Sequence, residues 1–346
     1  MEKYKYDLEN DELIFKFISP SSNDRLSKMK GSDLLTLIAL INKYYLKLRS
    51  RINLPEDITF GLEIEYEYAK GELISKALDE LEISEKISLN WTGTSDSSLT
   101  HGGELDSPIF IDSEKTWIEL DNLCKMLEEY ATISVNSGGH IHIGAHILEG
   151  KEEYWLNFIK LWEVYENIIY RFCYGEFKTG RPSISSYAEP LRNNLLIDYP
   201  ELVVDKANLK SILSTVSYKR DQGINFYKVR KSTFSSDNTI EFRCPNGSLN
   251  ATIWQNNVNF LARLLLFAKS PSFDDDTVTK RLQTIEKKDF SLEVYNEVDL
   301  NPALEICDMI FSNNLDKIYF LKQYLKAFEM PKRRSDYTRV RRLTKN

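Results

Sequence analysis

Cysteine is sparse in this 346-residue sequence: Cys124, Cys173, Cys244 and Cys307 stand alone, with no C-x-x-C pair. Isolated cysteines pack as small hydrophobes, so a disulfide framework and a thiolate metal site are both disfavoured. No run reaches the roughly 18 apolar residues of a membrane-spanning helix. The charged start MEKYKYDLENDELIF lacks the apolar region of a secretory signal. A reduced, cytoplasmic protein with no membrane contact is expected. Positive charge is not in excess either, and a net charge of −7 gives no general attraction to nucleic acid. The exception is the stretch Pro331 to Asn346, which holds seven Lys/Arg and one Asp. Such a run is usually a solvated end, and it is the one place where nucleic acid or an acidic partner could bind. Internal repeats and low-complexity tracts are missing. Histidine is scarce, with only His101, His140, His142 and His146.

Two of those four histidines fall in one short segment, Gly138-Gly139-His140-Ile141-His142-Ile143-Gly144. Strands send successive side chains to opposite faces. His140 and His142 therefore share a face, against Ile141 and Ile143. The segment Gly61-Leu62-Glu63-Ile64-Glu65-Tyr66-Glu67 repeats the pattern with carboxylates, and Thr239-Ile240-Glu241-Phe242-Arg243 repeats it with a carboxylate and a guanidinium. Each apolar face can pack on a core, while each polar face gathers groups that hold divalent cations and phosphate. A solvated amphipathic strand would alternate in the same way. The coincidence of three such segments favours nucleotide-dependent chemistry on a sheet.

The remaining pattern alternates helices and strands. With 42% hydrophobic and 12% aromatic residues, the chain can bury a large core. Helical spacing is read over Ser32 to Ser50, with Ser32 as cap, over ELISKALDELE after Gly71, and over Ser113 to Ala131, capped by Ser113. A long aromatic-rich helix is expected over Glu152 to Tyr174, ended by Gly175. Amphipathic helices follow over Asn250 to Ser270, Asp276 to Lys288, Pro302 to Asn313 and Leu315 to Phe328. Strands are expected over Ile87 to Trp91, Ile224 to Arg230 and Thr239 to Cys244, and a functional loop over Thr179 to Pro190. The fold class is α+β: an antiparallel sheet with a polar concave face and helices packed on its back. The expected organisation is a helical lead-in over 1–57, a catalytic sheet domain over 58–270, a helical flank over 271–330 and a basic tail over 331–346.

These pieces resemble the amidoligase family, relatives of glutamine synthetase and γ-glutamylcysteine ligase. The resemblance runs from about Thr59 to Asn250. It is carried, in order, by FGLEIEYE (Phe60 to Glu67), SDSSLTHGGELDSPI (Ser95 to Ile109), NSGGHIHIG (Asn136 to Gly144) and TIEFRCPNGSLN (Thr239 to Asn250), with a looser match at GRPSISSYAEPL (Gly180 to Leu191). Asp106 departs from the pattern where the family is often apolar, and Ser137 stands where members often have cysteine. The resemblance implies a glutamine-synthetase-like funnel around ATP and metal ions.

Amide formation needs a carboxylate oxygen turned into a leaving group. ATP supplies this through an acyl-phosphate, with Mg²⁺ or Mn²⁺ neutralising the phosphates and a cation meeting the charge of the transition state. The resemblance assigns Glu63, Glu65, Glu104, His140 and Glu241 as metal ligands, with Glu63 and Glu65 serving different ions. His142 is expected on phosphate or substrate. Arg243, a permanently charged fork, is expected on the transferred phosphoryl group. Arg243, Glu241 and His142 form the catalytic set, and Arg243, Arg181 and His142 the nucleotide contacts. Asp96, Ser98 and Arg181 face substrate. Glu67 is expected at the rim, His146 has no assigned function and the role of His101 stays open. The substrates would be small-molecule or peptide carboxylates and amines. The alternatives are a metal-dependent phosphotransferase or hydrolase on the same sheet, and a catalytically silent binding protein.

Overall fold

A computed structural model of the chain describes residues 12–43, 46–85, 89–133, 136–192, 213, 221–229, 238–285 and 299–326. The basic tail lies outside them. One antiparallel sheet carries the described strands β1 (Thr59–Tyr66), β2 (Thr92–Ser95), β3 (Gly103–Asp106), β4 (Phe110–Ile111), β5 (Gly139–Gly144), β6 (Ile224–Asn225) and β7 (Thr239–Phe242). Their order is β2-β3-β1-β5-β7-β6, with β4 pairing to the start of β1. The three alternating segments of the sequence thus become β1, β5 and β7, side by side at the centre. Leu62, Ile64 and Tyr66 of β1 are at most 2% exposed, which fixes the apolar face inward and the carboxylate face outward.

Helices cover the apolar back. They are α1 (Gly31–Ile41), α2 (Gly71–Glu85), α3 (Glu114–Tyr130), α4 (Glu152–Cys173), α5 (Ala251–Ala268), α6 (Asp275–Thr284), α7 (Leu300–Ile310) and α8 (Asn314–Tyr324). Side-chain caps start several of them: Ser113, Asn250, Asp274 and Asn313 accept the backbone N–H of Thr116, Thr252, Thr277 and Asp316. Each such cap is worth about 1 kcal/mol. Trp117 of α3 stacks on Phe60 of β1 at 5.3 Å, while Phe158 and Trp162 of α4 meet Phe242 of β7 at 6.3 and 5.5 Å. Gly175, at φ +60°, ends α4 in the left-handed conformation that glycine adopts without strain. Among the described residues, one large hydrophobic cluster runs from Ile14 to Tyr324, and a small second one joins Ile133 and Phe177.

Three expected elements differ in extent. The first of the expected helices begins at Gly31, with Lys30 and not Ser32 at its cap, and stops at Ile41 instead of Ser50. Arg49 is pulled away by tertiary bonds: its N–H donates to Gln255 Oε1 at 2.9 Å, and its guanidinium pairs with Asp316 at 2.6 Å. The strand expected over Ile87 to Trp91 forms later, at Thr92–Ser95, because those residues pair with Gly103–Asp106. Residues 86–88 lie outside the described set. The strand expected from Ile224 ends at Asn225, whose own side chain accepts the N–H of Tyr227 at 2.7 Å and turns the chain. In addition, the expected loop over Thr179 to Pro190 contains one helical turn, Ile184–Tyr187.

Two glycines before the histidines are set by packing. A Cβ on Gly139 would lie 2.0 Å from Cη2 of the buried Trp254, and one on Gly138 would lie 2.8 Å from Cζ of Arg181. Gly139→Ala is therefore expected to cost about 1–3 kcal/mol through overpacking. Gly71→Ala, where an added Cβ has nothing within 4 Å, serves as the neutral control. Chemical denaturation of both variants checks the difference.

Candidate active site

Direct cross-strand partners share a face, so the register reads out the site. Glu63 lies between Asp106 of β3 and His140 of β5, Glu65 pairs with Glu104, and His142 pairs with Glu241, which in turn pairs with Asn225. Five carboxylates and two imidazoles thus occupy one surface. Glu63 is the centre. One of its oxygens accepts from His142 Nε2 at 2.5 Å, and the other from His140 Nδ1. His142 is oriented from behind by Thr239 Oγ1 at 3.0 Å.

Among the described residues, two groups of donor atoms lie close enough to hold a metal ion: Glu63, Glu104 and His140, and Glu63, His142 and Glu241. Within each, the ligand atoms lie within 4.8 Å of one another. Oxygen-rich sets with one imidazole suit Mg²⁺ or Mn²⁺. Glu63 is common to both. Glu65 belongs to neither group: its carboxylate accepts the N–H of Gly138 and sits 3.8 Å from His140 Nε2.

Electrostatics separate these carboxylates. Burial pushes Glu63 upward, but the hydrogen bonds and charges of His140 and His142 overcome it and hold Glu63 far below the ordinary carboxylate range. Glu104 is pushed up to about 8, first by burial and then by the charges of Glu63, Asp106 and Glu65. Asp106 is raised as well, by burial and then by Glu63, and a hydrogen bond links it to Glu104. Its Oδ1 is buried without a hydrogen-bond partner among the described residues.

Two cavities meet over this surface. One, of about 570 Å³, is lined by Glu63, Glu65, Asp96, Ser98, Glu104, His140, Arg181 and Arg243, together with Asn136, Ser183, Tyr187 and Asp221. The other, of about 350 Å³, is lined by Glu63, His142, Asp221, Asn225, Lys228, Glu241 and Arg243. Arg243 stands at their junction, paired with Glu241 at 2.5 Å and donating from Nε to the Tyr187 carbonyl at 3.2 Å. Arg181 is 3% exposed, and its guanidinium donates to the carbonyls of Pro245 and Arg243 at 2.5 and 2.9 Å. It therefore braces the strand that carries Arg243 while contributing to the cavity wall. Asp96 Oδ1 accepts the N–H of Ser98 at 2.7 Å, shaping that turn.

Every residue proposed from sequence for metal, nucleotide or substrate lines one or both cavities. Glu67 is not at the rim: it is fully buried and accepts the Thr100 N–H at 2.7 Å. His146 bonds the Asp57 carbonyl at 2.8 Å, and His101 is exposed at φ +48° on the loop before β3. Sequence reasoning missed Asp106, although Glu104-Leu105-Asp106 shows the same alternation as Glu63-Ile64-Glu65. It also missed Asn225, which donates to Glu241 Oε2 at 2.8 Å, and Thr239, two residues before Glu241 on the same face. Asp221 and Lys228 carry no local signal, being placed by the turns around β6.

This surface is an antiparallel sheet face bearing carboxylates, imidazoles and an arginine, with donor atoms close enough to hold a metal ion. A family model described as "putative amidoligase enzyme" matches residues 56–265, more than half of the 346 residues. The chain belongs to this amidoligase family. The matched span contains all the described strands and most of α5. Among curated proteins, none matches the chain.

The raised Glu104 makes a test of pH dependence. An ordinary glutamate near 4.5 ionises in the unfolded chain while folded Glu104 keeps its proton up to about 8. Its contribution to stability is complete below pH 4.5 and is lost as pH rises through 8. Glu104→Gln should remove that part of the slope, so melting curves of wild type and variant should diverge in shape between those limits. A divalent cation bound to Glu104 at pH 7 should expel a proton, seen as a calorimetric heat that changes with the ionisation enthalpy of the buffer.

Proposed function

We propose that the protein is an ATP- and Mg²⁺-dependent carboxylate–amine ligase that forms an amide or isopeptide bond through an acyl-phosphate. The observation that carries this reading is the pair of donor groups joined at Glu63, with Arg243 at the junction of the two cavities. A ligase of this kind needs a place for the nucleotide, a place for the acid and amine, and a cationic centre between them.

In this reading the sheet face and the walls above it act as a glutamine-synthetase-like funnel. Glu63, Glu104, His140, His142 and Glu241 would hold the ions, and Glu65 fixes the glycine turn and neighbours His140. Bound Mg²⁺ or Mn²⁺ supplies charge neutralisation for the phosphates. The acid's carboxylate oxygen attacks the γ-phosphorus of ATP, the bond to the β–γ bridging oxygen breaks, and ADP leaves. Arg243 meets the negative charge on the moving phosphoryl group with a fork already aimed by Glu241 and the Tyr187 carbonyl. The amine nitrogen then attacks the acyl carbon, phosphate departs and the nitrogen gives up a proton. Arg181, by gripping the carbonyls on either side of Cys244, keeps the Arg243 segment in register. Asp96, Ser98 and the outer edge of Arg181 contact the substrates.

The test is ADP release with ATP and Mg²⁺ in the presence of mixed carboxylates and amines, with products identified by mass. Arg243→Ala and Glu241→Gln are each expected to lower turnover by about 10²–10³-fold. Glu67→Gln, at a buried residue that lines neither cavity, should cost stability more than turnover. Release of ADP with a phosphorylated acceptor would move the protein to the phosphotransferases, and phosphate release without amide would mark a hydrolase. Full activity in both site variants would exclude the site.

A further inference from the structure

Among the described residues, β2 is the last strand on its side of the sheet. Thr92, Gly93, Thr94 and Ser95 are all exposed, and among those residues their ladder runs to β3 alone. Among the described residues, no hydrogen bond is made to the backbone groups on the outer side of β2. An open row of N–H and C=O groups is a template for another extended chain.

Beside this edge lies a groove of about 300 Å³ between α2 and the back of β2–β3. Its floor is apolar, with Ile74, Leu78, Trp91 and Leu105, and its α2 wall adds Asp79 and Glu82. The pleat divides β2 between two environments. Gly93 pairs with Leu105 on the groove side, whereas Thr94, which also borders the groove, pairs with Glu104 on the carboxylate side. A chain added to β2 would alternate in the same way, one side chain dropping into the groove and the next standing on the site face. Beyond Ser95 come Asp96 and Ser98, which line the 570 Å³ cavity. The edge thus leads from the groove to the mouth of the site.

We propose that one substrate of the ligase is a peptide, docked as an additional strand on β2, with an apolar side chain in the groove and a basic one against Asp79 and Glu82. Only a peptide backbone offers the repeating donors and acceptors that match a strand edge, and the acidic wall selects against acidic residues at that position. The proposal takes its chemistry from the ligase reading, but the docking surface stands on the edge and groove alone.

The test uses the full chain with a library of random decapeptides, and the same library hydrolysed to free amino acids. Two readouts are taken with ATP and Mg²⁺: amide hydrogen exchange across residues 92–95, and ADP release. The library is expected to slow exchange at β2 about tenfold and to stimulate ADP release, and the hydrolysate to do neither. Gly93→Phe plugs the groove. An added Cβ there meets only Leu105 Cδ2 at 3.5 Å, so the melting temperature should hold while both effects fall about tenfold. Asp79→Lys, on the exposed face of α2, should weaken protection by peptides rich in basic residues.

Stimulation by free amino acids equal to that by the library, with β2 unprotected, would overturn the proposal. So would protection that needs no peptide and fades on dilution, because a second copy of the chain would then occupy the edge. No protection by the library also overturns it. Protection without ADP release keeps the docking surface and removes the ligase reading instead.

Discussion

Like charges gathered on one face repel, and this sheet places five carboxylates, Glu63, Glu65, Glu104, Asp106 and Glu241, within two or three strands of one another. The molecule offsets that repulsion residue by residue. Glu63 takes two imidazoles, Glu65 a backbone N–H, and Glu241 a guanidinium and an amide. Burial and the neighbouring carboxylates push Glu104 up to about 8, and a hydrogen bond links it to Asp106. A divalent cation held there would act on the same imbalance. The arrangement is costly for a structural protein and useful for one that binds phosphates, which is why the charge pattern says more about function than any single ligand.

The apolar side of each strand makes that concentration possible. Leu62, Ile64, Ile141, Ile143, Ile240 and Phe242 are all nearly excluded from solvent, and α3, α4 and α5 close over them. A slip of one residue in β1 would turn Leu62 and Ile64 onto the ligand face and bury the glutamates in the core. Register and site are therefore one constraint, and the glycines at 138 and 139 belong to it because Trp254 and Arg181 occupy the space their side chains would need.

The central strands were legible because a half-buried strand alternates apolar and polar residues with period two, whereas a helix spaces them by three or four. Helices with side-chain caps, such as those begun by Ser113 and Asn250, were legible for the same local reason. What escaped was set from a distance. The first helix ends early because Gln255 and Asp316 compete for Arg49, and β2 begins at Thr92 because its antiparallel partner β3 ends opposite it at Asp106. Asp106 was visible as an alternating partner of Glu104, but its place on the site face follows from the pairing with Glu63, a contact 43 residues away in sequence. Asp221 and Lys228 reach the second cavity through turns that no short motif records.

Glu63 has a consequence for the order of events. Because it belongs to both donor groups, two cations bound there would not load independently. The first would have to draw the carboxylate away from an imidazole, and would change the charge and the free lone pairs that the second encounters. By thermodynamic reciprocity, each ion alters the affinity of the other by the same factor. Occupancy should then follow a cooperative or anticooperative curve instead of two superposed hyperbolas. The sign of that curvature measures whether freeing the histidine outweighs the repulsion between the ions.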